Sequence, residues 1–358
     1  GMKNQLSQNE PAHSPVTVNV NEDSGLKPSA GSVATDKVIV DPPIERARKG
    51  RHSLNRPSGL TGETIWMYIL AIGLFHVVAL LAFVPWFFTW TGLIVMLVGV
   101  HFFGDIGINL CYHRLLAHHS FRVPKWFERT LVVISVCCLQ DTPIKWVTTH
   151  RSHHGNSDED EDPHSPLVTF CWGHFEWIML RNKDTRSAAA YDKYARDLLA
   201  DPFYRMMERT SLPGIIFTVH ALLYYFVGFG VGYYLTETVM GAVQFGLSLL
   251  LWGVIVRVVI VWHITWSVNS LTHMFGYRNH DTTDQSRNNW FVALVGAGEG
   301  WHNNHHHDQS SASVQHRWWE IDITYYTILL LGWLGLATDI IQPRHKRIAK
   351  RRKANSDE

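Results

Sequence analysis

Two long stretches of this chain contain no lysine or arginine, and they limit its possible folds more than any other feature. Neither residue occurs from Pro57 to Tyr112, or again from Pro213 to Val256. Each stretch holds two apolar runs, 64–87 and 91–110 in the first and 212–235 and 239–261 in the second. A helix needs about 20 such residues to cross a bilayer. Pro85-Trp86 and Trp90 mark a turn within the first pair, and Thr236-Glu237-Thr238 a turn within the second. Buried helices of a soluble protein are the competing explanation, but such helices seldom come in pairs devoid of both basic residues. The expected fold is an all-α integral membrane protein with four transmembrane helices in two hairpins.

The remaining Lys and Arg lie in the N-terminal segment, in 111–212 and in the segment that begins with Arg257 at the end of the fourth apolar run. Basic loops stay on the cytoplasmic side. Both termini and a helical cap formed by 111–211 and 269–342 are therefore expected there, with the two short turns opposite. The membrane would be a bacterial inner membrane, or the endoplasmic reticulum in a eukaryote. Residues 1–58, rich in Ser, Pro and charge, read as a disordered tail without a cleavable signal peptide. The membrane domain would span 59–342, followed by a basic tail, 343–358, suited to anionic headgroups. The apolar stretches 130–140 and 323–337 are too short to span and read as interfacial helices. The four cysteines form no C-x-x-C pair and read as buried, reduced thiols. The acidic run Asp158-Glu159-Asp160-Glu161-Asp162 reads mainly as a solvated loop, with long-range tuning of metals as the lesser alternative.

Within the expected cap the histidines fall into boxes. His150, His153 and His154 are spaced i, i+3, i+4, which places them on one helix face. His302, His305 and His306 repeat that spacing, and His113 and His118 precede both sets. A single cluster would suit a polar helix face or an adventitious site; three in one chain point to metal. Eight neutral imidazoles exceed what one ion uses, so two metals is the simplest reading. No cysteine lies in the boxes, which argues against structural zinc and iron–sulfur clusters. Only one box carries the Glu-x-x-His pair of carboxylate-bridged di-iron bundles, Glu299 to His302. A two-metal site made mainly of histidine remains. Glu299 reads as support for a ligand or as a solvated carboxylate. Asp105 reads as a buried carboxylate that orients an imidazole or pairs with another polar neighbour. His119 and His307 read as surface or supporting groups, and His220 and His263 as satisfied histidines on apolar helices.

These motifs resemble the three histidine boxes of the membrane fatty-acyl desaturases, and most closely the Δ9 group. The resemblance rests on His113-x4-His118, His150-Arg-x-His-His154 and Gly298-Glu-Gly-Trp-His302-Asn-x-His-His306. Asn269-Ser-Leu-Thr-His273-Met-Phe-Gly276, Asp162-Pro163-His164, His174 with Trp177, and Trp319-Glu320-x-Asp322 also match. It covers roughly residues 64 to 340 in consistent order. It implies a di-iron enzyme that uses O2 and two electrons to place a cis double bond in a saturated acyl chain. Carried over by motif, the iron ligands would be His113, His118, His150, His153, His154, His273, His302, His305 and His306. Asn269 would approach one metal through water. His164 and His174 would orient the cap by hydrogen bonds, and a bent apolar tunnel would hold the acyl chain.

The chain departs from the animal acyl-CoA enzymes at Thr148-Thr149, where those carry Arg-Asp. The acyl carrier, coenzyme A or a membrane lipid, stays open; Arg181, Lys183 or Arg186 would be the cations to meet an anionic head. No His-Pro-Gly-Gly haem motif occurs. Electrons are therefore expected from a separate donor of ferredoxin or cytochrome b5 type, and no nucleic acid partner is implied. A membrane di-iron hydroxylase is the nearest alternative. A metal transporter is the alternative from another class, disfavoured because transport sites lie between spanning helices.

Overall fold

The computed structural model describes residues 53–356. Most of the tail expected over 1–58 lies outside the described residues. Its last residues, however, are anchored: Leu54 N–H donates to Leu167 O at 3.1 Å, and Arg56 pairs with Glu176 at 3.1 Å.

Among the described residues four helices are long and apolar enough to cross a membrane: α1 (Trp66–Phe83), α2 (Trp90–Ala117), α5 (Leu212–Thr236) and α6 (Val239–Met274). Two of them outrun the apolar stretches that announce them. At about 1.5 Å per residue α6 is about 54 Å long, against a hydrocarbon core of about 30 Å. Its last turns therefore carry polar residues, Asn269 and His273 among them, on a continuous rigid rod. The extension of α2 likewise carries His113. Hydrophobicity marks the part of a helix that suits lipid, and backbone hydrogen bonding carries the helix further.

Small residues let α5 and α6 approach closely. A Cβ placed on Gly228 would stand 2.9 Å from Gly246 Cα, and one on Gly232 would stand 3.0 Å from Ala242 Cα. Such contacts suit helices that gain nothing by burying leucine against lipid. By contrast, no residue of α1 is buried.

Shorter helices pack against the ends of these rods. α3 (Lys125–Val136) buries Leu131, Val132 and Val136. α4 (Pro143–Asn156) starts on a Thr142 cap and carries the second histidine box. α7 (His302–His307) carries the third, α8 (Ile323–Trp333) is short and apolar, and α9 (Arg344–Ser356) is basic. A two-stranded antiparallel ribbon, β1 (Leu60–Thr64) with β2 (Leu180–Asn182), joins the segment before α1 to the region after α4. Cys111, Cys137 and Cys138 are buried free thiols as expected, whereas Cys171 is exposed.

Candidate metal centre

The first box does not work on an α-helix, where residues five apart stand about 140° apart around the axis. From Val100 to Ala117 the helix is wound in the wider π form. His118 N–H then reaches His113 O at 3.1 Å, five residues back. Residues five apart come close to the same face, and the His113 and His118 rings lie 4.9 Å apart. In α4 and α7 the i, i+3, i+4 spacing turns three imidazoles inward. Between those of α7, Asn303 and Asn304 face outward into a satisfied network; Asn304 donates to Val314 O at 2.9 Å and Glu320 Oε2 at 2.8 Å.

Two arginines, Arg114 buried and Arg151 half-buried, bring the boxes together. Arg114 donates to Glu299 Oε1 at 2.8 Å, to Asp322 Oδ2 at 2.9 Å and to Ala312 O at 2.7 Å, joining the first box to the third. Arg151 donates to Leu116 O and Ala117 O, each at 2.8 Å, and pairs with Asp197, joining the second box to the end of α2. The third box also needs glycine. Gly298 has φ +112, and a Cβ on Gly300 would stand 2.0 Å from Ala293 N.

Nine imidazoles fall into two groups. The first comprises His113, His118, His150, His154 and His305, and the second His153, His273, His302 and His306; within each, the ligating atoms lie within 4.8 Å of one another. In the first group the Nε2 atoms run 113–305–154–150–118 with separations of 3.1, 2.9, 3.1 and 2.8 Å. A neutral imidazole nitrogen either donates or accepts one hydrogen bond. Five nitrogens can therefore make at most two such pairs, and four short contacts need something else at the centre. Nitrogens about 2.1 Å from one ion stand about 3 Å apart along the edges of an octahedron, which these separations match. In the second group His302 and His306 Nε2 are 3.0 Å apart, and the buried Nε2 atoms of His153 and His273 have no hydrogen-bond partner. Both groups fit metal ions.

Carboxylates hold the other face of several rings. Asp162 accepts from His153 Nδ1 at 2.9 Å, Asp158 from His273 at 2.7 Å and Asp284 from His306 at 2.6 Å, while Glu299 Oε2 lies 2.8 Å from His113 Nδ1 as a charge contact. Each bond fixes the tautomer with Nε2 free to ligate and makes the ring more basic. Burial alone would raise these acids. Contact with His153 instead holds Asp162 well below the usual carboxylate range, and His306 does the same for Asp284. Arg114 and His113 hold Glu299 down to about 2. Burial, reinforced by neighbouring imidazoles, keeps His118, His150, His154, His302 and His305 well below the ordinary histidine value, hence neutral and ready to ligate.

Some expectations change here and others stand. The acidic run is not simply a solvated loop: Glu159, Asp160 and Glu161 are exposed, but the Asp158 carboxylate is 3% exposed and that of Asp162 is 0%. Asp105 meets no imidazole; Thr324 donates to it. Glu299 is support and not a solvated carboxylate. Arg181 pairs with Glu63 and Arg186 with Asp141. His119 lies on Asp197, and His307 stacks on His280 at 3.9 Å. His164 stacks on His153 at 4.4 Å. His174 bonds to Ser270 Oγ at 2.9 Å and to His263 at 3.0 Å, and His263 continues to His76 at 3.0 Å. His220 is held by Arg257 at 2.7 Å. Asp284 carried no signal in the sequence.

A cavity of about 590 Å³ runs between α1, α4, α5 and α6. Its walls include Met67, Ala71, Ile72, Ile178 and Trp262, and it reaches His150, His164 and Asn269. Trp146 stacks on His150 at 5.0 Å and donates to Gln140 Oε1 at 3.4 Å; Gln140 donates to Thr265 Oγ1 at 2.9 Å. All four of these residues line the cavity.

Comparison with known proteins gives a consistent result. The fatty acid desaturase family model matches residues 85–329. The chain is 42% identical over 285 residues to the sn-2 palmitoyl-lipid 9-desaturase of Nostoc sp. (strain 36), covering 79% of this chain and 92% of the relative. It is 40% identical to the sn-1 stearoyl-lipid 9-desaturase of Anabaena variabilis, over 77% of this chain and 93% of that one. It is 39% identical to an acyl-CoA 5-desaturase of Anemone leveillei, over 80% and 85%. With a family match over most of its length, two imidazole groups and four apolar helices, the chain belongs to the fatty acid desaturase family.

Proposed function

We propose that this protein is an acyl-lipid desaturase that forms a cis double bond at C9 of a saturated acyl chain. The observation that carries this reading is the cavity, apolar for most of its wall and ending on His150 and Asn269. A pocket of several hundred Å³ suits a small ligand, and an acyl chain laid along it would bring one region of itself to the imidazoles. The stoichiometry is one saturated chain, O2, two electrons and two protons giving one monoene and two waters.

His113, His118, His150, His154 and His305 would hold one iron, and His153, His273, His302 and His306 the other, with Asn269 reaching that region through water. When bound, the irons would activate O2 for removal of hydrogen from an unactivated carbon. The protein's own part is placement. Trp146, Gln140 and Thr265 form a rigid polar brace across an otherwise apolar wall, and holding reactants in register contributes much of such catalysis. Thr148-Thr149 and the lipid-acting relatives favour a membrane lipid over coenzyme A as carrier. The four spanning helices would form two hairpins with both imidazole groups on the cytoplasmic side, where a separate ferredoxin or cytochrome b5 type donor would dock.

The test is a fatty-acid profile, with double bonds located, of a host lacking its own Δ9 desaturase and expressing this chain. New cis-Δ9 monoenes in membrane lipids are expected. Hydroxylated products would instead establish the hydroxylase reading, and conversion confined to acyl-CoA would move the carrier.

A further inference from the structure

The segment between α3 and α4 forms part of the cavity wall in a backbone conformation that side chains disfavour. Leu139 has φ 50 and Asp141 φ 66, both left-handed and neither glycine. Residues held this way persist only where their surroundings over-determine them, and they cluster at functional sites. Here the determinants come from α6. Arg257 Nη1 donates to Cys137 O at 2.8 Å, and Trp262 Nε1 donates to Cys138 O at 2.9 Å and Leu139 O at 3.1 Å. From the other side Tyr112 donates to Asp141 O at 3.3 Å.

Arg257 is itself an anomaly. It is 0% exposed within a membrane-length apolar helix, and among the described residues its nitrogens meet no carboxylate. They meet Gly253 O at 3.2 Å, Cys137 O and His220 Nε2, while Phe103 lies 4.1 Å from the guanidinium carbon. A buried charge in such a helix is expensive and marks a function. Its one bond outside the two apolar helices α5 and α6 is to the strained turn.

That turn carries Gln140, whose amide bridges Trp146 and Thr265 beside His150. We infer that Arg257 and Trp262 are positioning residues for regiochemistry: they clamp the turn 137–141 and so set where along the acyl chain the double bond falls. Arg257 acts on the acyl chain only through that turn and Gln140, whereas Trp262 also forms part of the cavity wall. This inference rests on the desaturase reading and specifies what fixes the product within it.

The experiment compares double-bond positions in monoenes made by the parent, Trp262→Phe, Arg257→Met, Arg257→Lys, Gln140→Leu and the Trp262→Phe/Gln140→Leu double variant, all in a host without its own desaturase. Trp262→Phe keeps an aromatic ring but removes the donor and trims the buried indole, so membrane level and metal content are measured for every variant. The fraction of monoene unsaturated at neighbouring carbons is expected to rise about tenfold in Trp262→Phe, the scale of one lost hydrogen bond to a buried acceptor. Arg257→Lys should recover part of what Arg257→Met loses. In the Gln140→Leu background Trp262→Phe should add clearly less than it does in the parent, because much of its effect runs through that side chain. An unchanged isomer distribution with lowered yield would overturn the inference. So would complete inactivity of Trp262→Phe at normal membrane level and metal content. A parent that makes no monoene would instead overturn the desaturase reading, and this inference with it.

Discussion

Of the five imidazoles in the first group one leans on a carboxylate, His113 on Glu299; of the four in the second, three do. The first group is assembled by helix geometry. A π turn sets His113 against His118, an α turn sets His150 against His154, and Arg114 and Arg151 draw the boxes together. The second group is assembled by charge, with Asp158, Asp162 and Asp284 each orienting one ring. More ligands would hold an ion in the first group, whereas more negative charge would surround one in the second. A carboxylate behind a ligating imidazole strengthens it and is costly to remove. The second group should therefore keep its metal longer against a chelator.

Removing a ligand from either group is the harshest way to break this comparison. His154→Ala and His302→Ala are each expected to abolish monoene formation in the complemented host, with protein still in the membrane. Activity retained by either variant would show that its group is dispensable. A milder change separates orientation from ligation. Asp284→Asn keeps a hydrogen-bonding group beside His306 but removes the charge, and metal affinity should fall by about 10- to 100-fold, measured by chelator competition. An unchanged affinity would deny charge the role assigned to it in the second group.

Acid should act on both groups in turn. His150, His154, His302 and His305 sit below their ordinary 6.5 in the folded protein. The unfolded chain then binds more protons as pH falls through 6.5, and the metal-free protein loses stability there. Glu299, held at about 2 against 4.5, adds a further loss between those values. A thermal melting temperature that stays flat from pH 7 to pH 5 in detergent would contradict this. The smallest effect is expected at the exposed part of the acidic run. Glu159→Gln should change activity less than about twofold, as surface substitutions do, while Asp158→Asn, one residue away, should weaken the second group.

Much of this was legible in the sequence, and for identifiable reasons. Absence of Lys and Arg is a property of a whole segment, so the four apolar helices could be read without knowing their partners. The i, i+3, i+4 spacing of His150 to His154 and of His302 to His306 is local and survives folding unchanged. What a residue pairs with across the fold is different. Asp158 and Asp162 look like members of a solvated run because composition averages them with Glu159, Asp160 and Glu161. Asp284 has no local pattern at all. Where the helices α2 and α6 end was not legible, because hydropathy reports where lipid is tolerated and not where helical hydrogen bonds stop. The x4 spacing of His113 and His118 did carry a usable signal, since two ligands five apart on one helix require a wider turn.

Iron content per chain in the purified protein, measured for the parent, His154→Ala and His302→Ala after anaerobic loading with Fe²⁺, tests the two-group arrangement most directly. Two irons in the parent and one in each variant, with the His302→Ala protein keeping the iron of the first group, is the expected result. One iron in the parent, or two retained in both variants, would contradict it.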